Sequence, residues 1–119
     1  MLDLDDIYGM LVGREDVKYV VLYRGKDILN ANIDLDNAKK IVEFAETITE
    51  SAKEALHRLP SISSDVKYLT IHLQSGLALL FIRHGEYGLI VAAMARRTLD
   101  LEKTRELILK IREILEKKT

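Results

Sequence analysis

Three histidines, His57, His72 and His84, are the residues best suited by type to hold a metal or to move a proton near neutral pH. Their spacing argues against a shared site. His57 falls on the charged arc of a long helical stretch, while the turn Gln74-Ser75-Gly76 pairs His72 with residues near Ala78 and leaves His84 at the far end of the same hairpin. Surface and hairpin-end positions account for all three, and no metal is expected. The serines at 51, 61, 63, 64 and 75 lie in no nucleophile-elbow context, and the glycines form neither a phosphate-binding loop nor a dinucleotide fingerprint. Asp3, Asp5 and Asp6 cluster, but carboxylates at a helix start favour the helix dipole and need no further role. Arg96 and Arg97 carry bidentate forks that suit a phosphate or an acidic patch on a partner, and they are the candidates for partner contact. A solvated strand end explains them equally well. No catalytic residue and no cofactor is expected.

Composition narrows the partners. The 119 residues include 18 basic and 19 acidic side chains, for a net charge of -1, so no global field draws the chain to nucleic acid or anionic lipid. The basic residues after Asp100 alternate with glutamates and lack stacking aromatics, which leaves no nucleic-acid surface. The absence of cysteine removes disulfides, thiolate metal sites and a cysteine nucleophile. The start, Met1-Leu2-Asp3-Leu4-Asp5-Asp6, is acidic and unlike a signal peptide, so a cytoplasmic location is expected. Apolar runs such as Gly76 to Ile82 are far short of the roughly 20 residues of a membrane helix, and no membrane insertion is expected. Charged residues make up 31%, with one glutamine and three asparagines, a balance found in thermophile proteins. Residues 1–119 read as a single domain.

The elements that must carry these residues follow from hydrophobic periodicity. Leu4, Ile7, Tyr8 and Leu11 recur at helical spacing over residues 3–12. Residues 17–24 form a strand apolar on both faces; residues 27–33 return from the turn Gly25-Lys26-Asp27 with Leu29, Ala31 and Ile33 expected inward and Ile28, Asn30 and Asn32 outward. Asp34 caps a helix over residues 35–59 that stops before Pro60. On that helix Ala38, Ile41, Val42, Phe44, Ala45, Ile48, Ala52, Ala55, Leu56 and Leu59 span roughly 160° of arc, wider than one docking stripe needs. Strands over residues 66–73, 77–84 and 87–95 are joined by short turns that allow only antiparallel neighbours. A last helix, capped by Asp100, carries Leu101, Leu107, Ile108, Ile111, Ile114 and Leu115 on its buried stripe.

The expected class is therefore α+β, in the order α-β-β-α-β-β-β-α. Strands polar on one face make edges, and those apolar on both faces lie inside, so the five-stranded antiparallel sheet takes the order 2-1-5-4-3. The long helix covers one face and the two terminal helices the other.

Tyr19-Val20-Val21-Leu22-Tyr23-Arg24-Gly25-Lys26-Asp27-Ile28-Leu29 resembles the first hairpin of the Roadblock/LC7 superfamily, and Gly88-Leu89-Ile90-Val91-Ala92-Ala93-Met94-Ala95-Arg96-Arg97 resembles its last strand. The resemblance covers nearly the whole chain and rests on patterns of apolarity and length. It implies a homodimer formed by the long helix and third strand of each subunit, and a non-catalytic role in supporting or regulating Ras-like small GTPases or motor complexes. Carried over by location, the dimer surface comprises Phe44, Ile48, Ser51 and Ala55, which share one flank of the long helix, with Leu69 and Ile71 on the third strand. An edge strand paired with its two-fold copy would bury an aggregation liability. The alternative is a small-molecule-sensing domain of profilin-like or PAS/GAF-like architecture, since such sheets also hold ligands beside them.

Overall fold

A hairpin and a three-stranded meander, joined through one strand of each, make the sheet. In the computed structural model, which describes residues 4–61, 66, 68–94, 109–110, 113–114 and 116–117, the elements are α1 (Leu4–Val12), β1 (Val17–Arg24), β2 (Asp27–Ala31), α2 (Leu35–His57), β3 (Tyr68–His72), β4 (Leu77–His84) and β5 (Tyr87–Met94). All neighbours are antiparallel and the order is β2-β1-β5-β4-β3, as the polarity of the strand faces requires. The tight turns at Gly25 and Gly85 use positive φ, 59° and 60°, which glycine adopts without steric cost. They sit at the same end of the sheet, where the Gly25 amide donates to the Glu86 carbonyl at 2.7 Å and Arg24 pairs with Glu86 at 3.1 Å.

Alternation along the three inner strands creates two separate cores. On one face Val20 and Leu22 of β1, Ile82 of β4 and Leu89, Val91 and Ala93 of β5 pack under Leu4, Ile7 and Leu11 of α1 and Ile114. On the other face Val21, Tyr23, Phe81 and Ile90 pack under Ala38, Val42 and Ala45 of α2. The long helix thus covers one face and α1 the other, as expected. Of the last helix, Ile114 is described and buried; its other expected stripe residues, its Asp100 cap, and Arg96 and Arg97 lie outside the described residues.

One strand departs from expectation. Leu29 is 46% exposed, whereas Ile28 and Ala31 pack on the α2 side. The cause is a β-bulge: Leu22 pairs with Asn30 but Tyr23 pairs with Ile28, so Leu29 is an extra residue that breaks the alternation. β2 also ends at Ala31 rather than at residue 33. There the Asn32 side chain takes over the ladder, accepting from the Val20 amide at 2.7 Å and donating to the Lys18 carbonyl at 3.2 Å.

α2 begins where Asp34 accepts from the Asn37 amide at 3.2 Å and from its side chain at 2.7 Å. Those bonds, the backbone one foremost, hold the Asp34 carboxyl below the ordinary carboxylate range. The helix stops at His57 instead of Leu59. Leu59 precedes Pro60, whose ring disfavours helical geometry in the residue before it. Buried Thr49 returns its hydroxyl to the Ala45 carbonyl at 2.7 Å, so its polarity is satisfied inside the helix.

Candidate functional site

α2 covers its face of the sheet unevenly. It packs chiefly on β2 and β1, with Ala38, Val42, Ala45 and Thr49 pointing into the core. Its remaining apolar residues, Ile41, Phe44 and Ile48, look along the sheet toward β4 and β3, where Leu69, Ile71 and Leu79 are only partly buried. Phe44 meets Phe81 edge to face, with ring centroids 6.0 Å apart, yet remains 45% exposed. Strand alternation puts Leu73, Met94 and Tyr19 on this same face, and they are 43%, 41% and 42% exposed. The outcome is apolar side-chain surface left exposed on this face between one flank of α2 and β3, the outermost strand. A patch of this kind marks an interaction surface more often than a bare exterior.

β3 adds a second means of recognition. It hydrogen-bonds β4 on one side, from Tyr68 opposite Ile82 to His72 opposite Ala78, and is the last strand in the sheet order. Its outer backbone groups can pair with another strand. Ser51 and Ala55 are exposed on the α2 flank that bears Phe44 and Ile48, and their small side chains permit close approach of a second helix. The structure therefore places Phe44, Ile48, Ser51 and Ala55 on one flank of α2, and Leu69 and Ile71 on the adjacent sheet face. The histidines stay apart: His72 pairs with Ala78 at one end of β4 and His84 with Tyr87 at the other, while His57 is exposed on α2.

The opposite flank of α2 is fastened to the sheet by polar groups that sequence reasoning missed. Arg83 reaches Glu46 at 2.6 Å and Glu50 at 3.8 Å, and the Tyr23 hydroxyl donates to the other Glu46 oxygen at 3.1 Å. Burial first, then the Glu46 charge and hydrogen bond, pushes the Tyr23 phenol well above its ordinary value. Gly88 makes room for this arrangement, because a Cβ there would collide with the Tyr23 ring. The available signal was a glycine inside an otherwise apolar strand. Its meaning depended on knowing that Tyr23 lies opposite Gly88.

A five-stranded antiparallel sheet in this order, with one long helix on one face and a short helix on the other, is the Roadblock/LC7 fold. A crystal structure of a Roadblock/LC7 domain from Streptomyces avermitilis superposes with a TM-score of 0.70 at 18% identity, covering 97% of this chain and 99% of that one. MglB in a tetrameric arrangement superposes with a TM-score of 0.65 at 13% identity, covering 95% of this chain and 90% of that one. No protein-family model and no curated protein matches the sequence. No helix among the described residues is long and apolar enough to cross a membrane.

Proposed function

We propose that this chain is a small regulatory or scaffold module, without turnover of its own, that pairs with a second copy and presents the pair to a Ras-like small GTPase or a motor complex. The half-covered apolar face beside α2 carries this reading: it combines a wide helix arc, exposed Phe44, small Ser51 and Ala55, and an outermost β3 on one side of the molecule. A two-fold copy would bury that face and continue the sheet through β3. Phe44, Ile48, Ser51, Ala55, Leu69 and Ile71 would then form the seam. Arg96 and Arg97 follow the last strand and supply charge for an acidic partner surface. The likeness to Roadblock/LC7 domains supports the regulatory role at the level of fold.

Light scattering on a size-exclusion column, comparing wild type with Ala55→Arg, tests the pairing. The expected result is a wild-type dimer and a folded monomeric variant; a wild-type monomer would overturn it. The partner is tested by binding to Ras-like GTPases of the source organism loaded with GDP or a non-hydrolysable GTP analogue. Binding that prefers one nucleotide state and weakens in the Arg96→Ala, Arg97→Ala double variant is expected, and equal indifference to all of them would remove the GTPase from the proposal.

A further inference from the structure

A second concave feature lies away from the proposed seam. Between the β1–β2 turn and the polar flank of α2 is a cleft of about 590 Å³, a volume in the range of small-molecule sites. Ile28 and Val42 are its apolar lining, and Lys26, Lys39, Glu43 and Glu46 are its charged groups. These charges are not equivalent. Glu46 is committed on both oxygens, to Tyr23 at 3.1 Å and to Arg83 at 2.6 Å, so its charge is neutralised from the sheet side. Neither Lys26 nor Lys39 has an ion-pair partner among the described residues, which leaves two ammonium groups against the single carboxylate of Glu43.

We infer that this cleft binds a small organic anion with a short apolar body, its carboxylate or phosphate held by Lys26 and Lys39 and its hydrocarbon part laid on Ile28 and Val42. The positive excess selects an anion over a cation, and the apolar lining selects an amphipathic anion over a bare inorganic one. The contacts of Glu46 with Arg83 and Tyr23 hold the side chain of one wall in place, which lowers the ordering cost of binding. Glu43 opposes the ligand charge and sets an upper limit on affinity.

Octanoate below its micellar range, titrated into the full chain by calorimetry and followed by NMR, is a suitable probe. Saturable binding that shifts the Ile28 and Val42 methyl signals is expected, at least fivefold weaker in Lys39→Glu and at least twofold tighter in Glu43→Gln. Lys40→Glu makes the same charge change outside the cleft and should leave affinity within twofold of wild type. Octylamine at the same concentration should not shift those methyls. Unsaturable binding, equal weakening by Lys40→Glu, or octylamine binding as well as octanoate would each overturn the assignment. Ala55→Arg, on the other flank of α2, should bind octanoate like wild type, which separates this site from the proposed seam.

Discussion

The two faces of the sheet are made from the same three inner strands, yet they are finished differently. Under α1, side chains of β1, β4 and β5 close into a core in which Leu11, Val20, Ile82 and Leu89 are at most 2% exposed. Under α2, the β1 side is equally closed, but toward β3 and β4 the sheet emerges from beneath the helix with Leu69, Ile71 and Leu79 half-covered. The short α1 and Ile114 together close the first face, whereas a single helix of 23 residues leaves the second partly open. Helix length alone therefore does not decide coverage. What decides it is where the helix is fastened, and α2 is held over β1 and β2 by Ala38, Val42 and Ala45 and at its polar flank by Arg83.

The sharpest way to break this contrast is to delete equal apolar mass from the two faces. Leu89→Ala, in the closed core, is expected to lower unfolding free energy by about 2 to 5 kcal/mol in urea titrations. Leu73→Ala, on the open side, should cost less than about 0.5 kcal/mol at a concentration where the chain is monomeric. Equal losses would mean that the open side is covered within one subunit. If the loss at Leu73 instead grows with protein concentration, the surface is being buried by a second copy.

The fastening of α2 gives the next largest effect. Gly88→Ala forces a methyl into the Tyr23 ring and should destabilise by about 1 to 3 kcal/mol. Combining it with Tyr23→Leu, which removes the obstructing ring, should make the glycine substitution nearly neutral; a cost that persists in the double variant would place the strain elsewhere. Arg83→Ala should cost less, about 0.2 to 1 kcal/mol, because this arginine is 40% exposed and its ion pairs are screened by water. A double-mutant cycle with Glu46→Gln measures the coupling directly, and zero coupling would show that the salt bridge does not anchor the helix.

A pH dependence tests the same anchoring contact without a substitution in the wild-type arm. Tyr23 keeps its proton in the folded state beyond the pH at which an unfolded tyrosine, with an ordinary value of 10.0, releases it. Its contribution is therefore complete below about pH 10 and is lost as the pH rises further, since the unfolded state then binds fewer protons than the native one. Stability measured from pH 9 to 11 should fall more steeply in wild type than in Tyr23→Phe. Parallel curves would mean that the Tyr23 phenol is as hydrated as a free one.

Much of this architecture was legible because it is periodic. Residues of β1 and β5 alternate between two apolar faces, which required an interior position and helices above and below, and the strand order followed from the polar residues of β2 and β3. The excess width of the α2 stripe pointed to Phe44, Ile48, Ser51 and Ala55 as a flank that its own sheet would not fill, and three of these, Phe44, Ser51 and Ala55, are exposed outright. Leu29 was misplaced because a bulge is a property of a pair of strands: the inward pattern 29, 31, 33 is faultless along one strand and fails only when Tyr23 is set opposite Ile28. The Tyr23–Glu46–Arg83 contacts join β1, α2 and β4, so no single stretch of sequence contains them.

Periodicity acts over a few residues, and the sequence by itself determined the element types, the two-faced sheet, its strand order and the helix that carries surplus apolar surface. Tertiary structure decided the quantities that depend on how rigid elements meet. These are the slip at Leu29, the placement of α2 over β1 and β2, the half-open face it leaves beside β3, and the cleft on its other flank. Local spacing tells which residues share a side; only contacts between distant segments tell how far along that side the cover extends.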